Sequence, residues 1–209
     1  GWGRWIWGGG NVPFVILGAG LLWFGWFGFI AGSALGANAD AVIAFANTNI
    51  ASATAMITWV FYERMLGRKM SAVGACVGAV VGLVAITPAA GFVNIGQSMF
   101  IGFIAALICN WAIQWKNRSS IDDTLDVFPS HGVGGIVGMV LTGVFAKDVG
   151  LVYGETTTFL YHLLALVLTS VFAFGGSYLL FKLVDSLLSM RVREDQETRG
   201  LDLSQHGER

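Results

Sequence analysis

Pro13-Phe14-Val15-Ile16-Leu17-Gly18-Ala19-Gly20-Leu21-Leu22-Trp23-Phe24-Gly25-Trp26-Phe27-Gly28-Phe29-Ile30-Ala31-Gly32-Ser33 runs for 21 residues without a charged side chain. Coiled into an α-helix it rises about 30 Å, the thickness of a bilayer's hydrocarbon core. The rest of the chain is of the same kind. Of its 209 residues, 55% are hydrophobic and 12% charged, about half the roughly 25% charged share of a soluble domain. Gly reaches 29 residues while Pro stays at 3. Low-complexity chains raise both together, whereas membrane helix bundles favour Gly, which lets backbones approach closely. Eight Trp and fifteen Phe suit interfacial and pore-lining aromatics. The net charge of −1 argues against nucleic acid as a partner.

Six segments are long and apolar enough to span a bilayer, or nearly so: Pro13–Ser33, Ala41–Tyr62, Ser71–Thr87, Gly96–Trp115, Val127–Ala146 and Thr156–Met190. The third is short. The last is longer than a membrane requires, and its part from Lys182 onward is expected to run past the bilayer, with Lys182 and Asp185 able to pair one turn apart. The connections are brief and rich in turn residues. This pattern predicts an all-α, polytopic membrane helix bundle over residues 1–190 and a polar tail over 191–209. The chain starts at Gly1 with no signal-peptide pattern before the first apolar run, which reads as an internal start. Cys76 and Cys109 sit in apolar stretches with no metal-ligand spacing, and read as small buried hydrophobes.

Basic residues set the orientation, because cytoplasmic loops collect Lys and Arg. Arg4 precedes the first span. Arg64, Arg68 and Lys69 follow the second, Lys116 and Arg118 the fourth, and Lys182, Arg191, Arg193, Arg199 and Arg209 the last. With six spans all of these share one side, and only Lys147 lies on the other. Both ends are therefore expected in the cytoplasm. Ser33 then lies at the outer end of its helix, with Trp26 and Phe29 seven and four residues deeper on roughly the same face. Two readings fit that stripe: an ordinary packing seam, or an aromatic wall leading inward from a hydroxyl.

Four blocks of sequence are more specific. Leu22-Trp23-Phe24-Gly25-Trp26-Phe27-Gly28-Phe29-Ile30-Ala31-Gly32-Ser33 resembles the LWxGWFGFNxGS segment of the ammonium transporter family (the Amt/Mep/Rh group). Gly82-Leu83-Val84-Ala85-Ile86-Thr87-Pro88-Ala89-Ala90-Gly91 resembles that family's GLVxITPAxG. The run from Asp122 to Gly135, which includes Asp126-Val127-Phe128 and His131-Gly132-Val133-Gly134-Gly135, resembles DDxxDVFxxHGVGG. Gly200-Leu201-Asp202-Leu203-Ser204-Gln205-His206-Gly207-Glu208 resembles the GLDxxxHGE of the cytosolic tail. The resemblance covers nearly the whole chain but only the second half of a family member. It implies the second of two inverted five-helix repeats plus the long final helix, with the substrate path at the interface between the repeats.

The resemblance implies roles for particular residues. Ser33 belongs to an outer recruitment site, Phe29 to the phenyl gate beneath it, Trp26 and Leu22 to the pore wall, and Val127 to the pore lining. His131 is one of two hydrogen-bonded pore histidines, the other lying in the half not present. These types suit the ion. Ammonium has four N–H donors and no acceptor, so it wants ring faces and oxygen lone pairs. A cation in an apolar conduit costs several kcal/mol or more of lost hydration, which deprotonation to ammonia greatly lowers. The family's usual Asn stands here as Ile30, so packing or selectivity beside the gate is expected to differ. The resemblance further implies a cell-membrane homotrimer, a PII-type regulatory protein as partner at the cytoplasmic face, and neither cofactor nor metal.

From its residues alone His131 has two readings, a satisfied structural histidine or a functional intramembrane group; the motif favours the second. Counting places it near the cytoplasmic end of its span. Asp122, Asp123 and Asp126 read as helix N-terminal caps. Thr87 and Pro88 read as a helix stop, His162 as a packing residue, His206 as part of a regulatory tail, and Glu63 with Arg64 and Arg68 as an interfacial charge cluster. The function expected is an ammonium or ammonia transporter or channel subunit. The alternatives are an ammonium sensor on the same fold and an inactive partial product. An intramembrane hydrolase is disfavoured, because Ser130 adjoins His131 and so points elsewhere on a helix, and no GxSxG setting occurs.

Overall fold

The computed structural model describes residues 11–208; Arg4 and Arg209, counted above among the basic residues, lie outside the described residues. All regular structure among the described residues is helical. Helix α1 is Val12–Gly32, α2 Ala39–Met65, α3 Ala72–Ile86 and α4 Ile95–Lys116. A π-helical turn, Phe128–Val133, runs directly into α5, Gly134–Phe145. Helix α6 is Thr157–Leu187, and the short α7, Glu194–Arg199, precedes a second π-turn at Asp202–His206. The chain divides after Leu164, so α6 contributes its first turns to one unit and the remainder to the other.

The helix ends follow from local chemistry. Asn11 Oδ1 accepts the Phe14 N–H at 3.3 Å with Pro13 in the first turn, and Asn38 Oδ1 accepts the Ala41 N–H at 3.0 Å. Asn94 and Gln97 form a reciprocal capping box with both bonds at 2.9 Å, satisfying two orphan donors of α4 at once. Helix α3 stops at Ile86 because Pro88 has no N–H to donate and restricts the residue before it. Five of the helices have the length and hydropathy of membrane spans, counting the π-turn with α5. The sixth, α3, has 15 residues and rises only about 22 Å.

Helix α3 is nonetheless the element around which the first unit is built. Val81, Gly82, Leu83, Val84, Ala85 and Ile86 are all buried. Small residues let its neighbours come close: a Cβ on Gly82 would lie 2.6 Å from Ala51 O of α2, and one on Gly78 would lie 2.6 Å from the Trp59 Cβ. Glycine at such positions permits backbone-to-backbone packing where apolar surface has no water to flee. Polar side chains tie the same helices. Asn47, fully buried on α2, donates both amide protons to the carbonyls of Ala90 (2.8 Å) and Val93 (2.7 Å), and Ser52 donates to Ala79 O at 2.9 Å.

The ion pair expected between Lys182 and Asp185 is not formed, and Glu63 of the interfacial charge cluster bonds locally. Lys182 Nζ stands 5.9 Å over the Tyr178 ring instead of meeting Asp185, whose carboxylate accepts the Met190 N–H at 3.2 Å and caps the end of α6. The Glu63 carboxylate accepts from Ser71 N (3.1 Å), Ser71 Oγ (3.4 Å) and Trp59 Nε1 (3.3 Å), joining the end of α2 to the start of α3. In both cases a local donor outcompetes a flexible surface cation, as expected where an exposed ion pair contributes under about 1 kcal/mol.

Candidate functional site

The stripe on α1 is an aromatic edge capped by a hydroxyl. Trp26 and Phe29 meet in a T-shaped contact, 5.3 Å between ring centroids and 81° between planes. Ser33, just beyond the last turn, donates its hydroxyl proton to Phe29 O at 2.8 Å. That commits the one proton Ser33 has and leaves its lone pairs for an incoming donor. Phe29 is 55% exposed and Leu22 39% exposed. Ile30, one turn on from Trp26 at the core-facing edge of the stripe, is buried in the hydrophobic core against which Trp26 packs. The position where the resemblance expects Asn is therefore a core-facing one in this chain.

Trp26 is held by α3. Its indole N–H is shared between Leu83 O (3.1 Å) and Thr87 Oγ1 (3.0 Å), and the Thr87 hydroxyl itself donates to Leu83 O at 2.8 Å. The polar edge of the indole is consumed, and the ring remains as apolar wall. Thr87 closes α3 as expected, but its bond to Trp26 spans 61 residues of sequence and left no local signal.

His131 sits on the π-turn. Asp123 caps that turn with both carboxylate oxygens, accepting from Val127 N at 2.9 Å and Phe128 N at 2.8 Å, as a capping carboxylate does. Asp126 does something else: it pairs with Lys116 Nζ at 2.5 Å. His131 is exposed, and among the described residues its imidazole has no hydrogen-bond partner, while its carbonyl accepts the Gly134 N–H. Val127, four residues earlier, is 50% exposed. By contrast His162 is half-buried, with Nδ1 3.2 Å from Met139 O, an interaction that puts the proton on Nδ1 and ties α6 to α5.

The structure thus gathers Leu22, Trp26 and Phe29 on α1 with Ser33 at its end, and sets Val127 at the start of the π-turn and His131 on it. Helix α3 carries both groups. Leu83 and Thr87 hold Trp26, while Gly134 packs on Val84 and Gly138 lies against the Ala85 carbonyl. Three consecutive residues of one buried helix therefore register the two sets of candidate residues.

Comparison with known proteins places the chain in a family. The sequence model of the Ammonium Transporter Family matches residues 7–209. The chain belongs to that family. It is 41% identical over 207 residues to an ammonium transporter of Bacillus subtilis (strain 168), covering 95% of this chain and 51% of that protein. An ammonium transporter of Aquifex aeolicus (strain VF5) is 46% identical over 205 residues, 95% of this chain and 48% of the relative. The chain spans about half the length of the curated relatives it matches. Among solved structures, Candida albicans Mep2 superposes with a TM-score of 0.83 at 36% identity, over 89% of this chain and 44% of that one. A structure described as a sensor Amt protein gives 0.83 at 29% identity, over 93% and 49%. The family fold, a polytopic helical membrane bundle, is thereby established for this chain.

Proposed function

We propose that this chain supplies one wall of an ammonium-conducting pore. The observation that carries the reading is the exposure of a whole set of candidate residues: an unpaired imidazole in an apolar span, and a ring edge ending in a hydroxyl with free lone pairs. An imidazole facing hydrocarbon costs several kcal/mol, so this surface is one to be covered by protein or wetted by a pathway. Ser33 accepts an N–H of ammonium at the outer end, and Phe29 and Trp26 offer their rings to the cation. Leu22 and Val127 line the apolar conduit, and His131 exchanges hydrogen bonds with ammonia as donor or acceptor. Lys and Arg clustering supports a cytoplasmic C-terminus in the cell membrane. A homotrimer and a PII-type partner at the cytoplasmic face follow from the family resemblance. The work is transport and uses no enzymatic step.

His131→Ala in the full-length protein tests the reading by ammonium uptake in a transport-deficient cell. Altered uptake or altered ion selectivity with intact folding is expected; wild-type flux at unchanged selectivity removes His131 from the pathway. A second reading, an ammonium sensor, draws on the likeness to the sensor Amt protein. Wild-type protein that binds ammonium and conducts none would favour it.

A further inference from the structure

Lys116 ends α4, where a cation commonly offsets the helix dipole, and in sequence it is one more basic loop residue. Its placement is different. It is only 8% exposed, and its ammonium turns away from the last turn of α4 toward the segment that follows. Nζ donates to Asp123 O at 2.6 Å and pairs with Asp126 Oδ1. Those two residues launch the π-turn. Asp123 caps Val127 and Phe128 through its side chain, Asp126 accepts the Ser130 N–H at 3.0 Å through its carbonyl, and His131 comes next. Asp126 has φ 54°, a left-handed conformation rarely adopted without support. On the other side, α4 is fixed in the core by Ile101, Ala105, Cys109 and Ala112.

We infer that Lys116 is a positioning residue for His131, tying the start of the histidine turn to the rigid end of α4. One ammonium holds the backbone of Asp123 and the side chain of Asp126, so the entry to the π-turn has a single origin. Without it, the half-buried Asp126 carboxylate loses its counter-ion and moves toward water, drawing the left-handed residue and the turn with it. Arginine keeps the charge but presents a broader fork, so it restores much of the function. The inference rests on the pore reading only for its consequence in transport; the placement of His131 is measured separately.

The test follows carbethoxylation of His131 by diethyl pyrocarbonate in the full-length protein, resolved by peptide mass spectrometry with His162 as internal reference, beside ammonium uptake. In Lys116→Met the His131 rate is expected to change about fivefold or more while the His162 rate holds, and uptake to fall about tenfold, since misplacing a reacting group by an ångström is that costly. Lys116→Arg is expected to recover most of both. Asp126→Asn removes the same ion pair from the other side, leaving the Lys116 ammonium on Asp123 O, and decides the question by the same readouts if Lys116→Met does not fold. An unchanged His131 rate in either folded variant overturns the inference, whatever uptake does. A changed rate with normal uptake supports the placement and removes His131 from the transport path instead.

Discussion

Gly138→Ala probes the seat of the histidine helix. An added Cβ would fall on Ala85 O and sit 2.9 Å from the Ala85 carbonyl carbon and 3.0 Å from its Cα. Carbon atoms pack comfortably at about 3.5–4.0 Å, so α5 must retreat from α3 by about 0.6–1.1 Å. Backbone cannot rotate aside as a side chain can, and overpacking of this kind costs about 1–3 kcal/mol. Because His131 leads directly into α5, the retreat also moves the imidazole, and a displacement near 1 Å is expected to lower ammonium flux about tenfold to a hundredfold. Thermal unfolding of the full-length protein and uptake in a transport-deficient cell give the two numbers. Gly135→Ala is the stability control, since a Cβ there meets nothing within 4 Å and helix propensity alone favours it by about 1 kcal/mol. Equal stability of the two variants, or normal flux in Gly138→Ala, would refute the argument that this contact sets the position of α5.

The remaining predictions concern the other attachments. Thr87→Val keeps the shape at the end of α3 but removes one of two acceptors for the Trp26 N–H, so a stability loss of about 0.5–1 kcal/mol is expected, together with an altered Trp fluorescence spectrum. Asn47→Ala orphans two buried carbonyls and should cost about 2–4 kcal/mol in chemical denaturation; a loss under about 0.5 kcal/mol would mean that water or a shifted backbone replaces the amide. Phe29→Ala removes the exposed ring of the α1 edge and is expected to change transport kinetics with little effect on melting temperature, and an identical transport curve would exclude it from the gate.

Much of the fold was legible because a bilayer writes a coarse signal. The six apolar segments read from sequence agree with the helices to within three residues at each end. Caps at Asn38, Ser71 and Asn94 are local, and so are visible. What stayed hidden is what depends on contacts across the chain. Hydropathy sees Val127–Ala146 as one helix and has no term for the π-turn at its start, which depends on Asp123 and on the left-handed Asp126. Lys116 looked like a loop cation because burial of an ammonium depends on partners seven and ten residues away. The Trp26–Thr87 bond and the seating of Gly138 on Ala85 involve residues whose types are common in any membrane helix. The stripe of Trp26, Phe29 and Ser33 was readable as a face, but its polarity was not: only the Ser33 bond to Phe29 O shows that the hydroxyl presents lone pairs.

The division of labour within the first unit follows from where glycine and charge are tolerated. Helix α3 is short, at 15 residues, and the most enclosed, with small residues admitting α2 and α5 to its backbone, so it holds its neighbours and turns little side-chain surface outward. The candidate residues stand instead on α1 and the π-turn, with Phe29, Ser33 and His131 exposed, and α3 sets their register. Such an arrangement is stable only if the exposed groups are later covered or wetted, because a bare imidazole in hydrocarbon is penalised. A helix that only packed against lipid would replace His131 by Leu at no loss. That comparison is measurable: His131→Leu should raise, or leave unchanged, the thermal stability of the isolated chain in detergent, while abolishing selective uptake in the full-length protein. A large stability loss in the isolated chain would mean that the imidazole serves the fold.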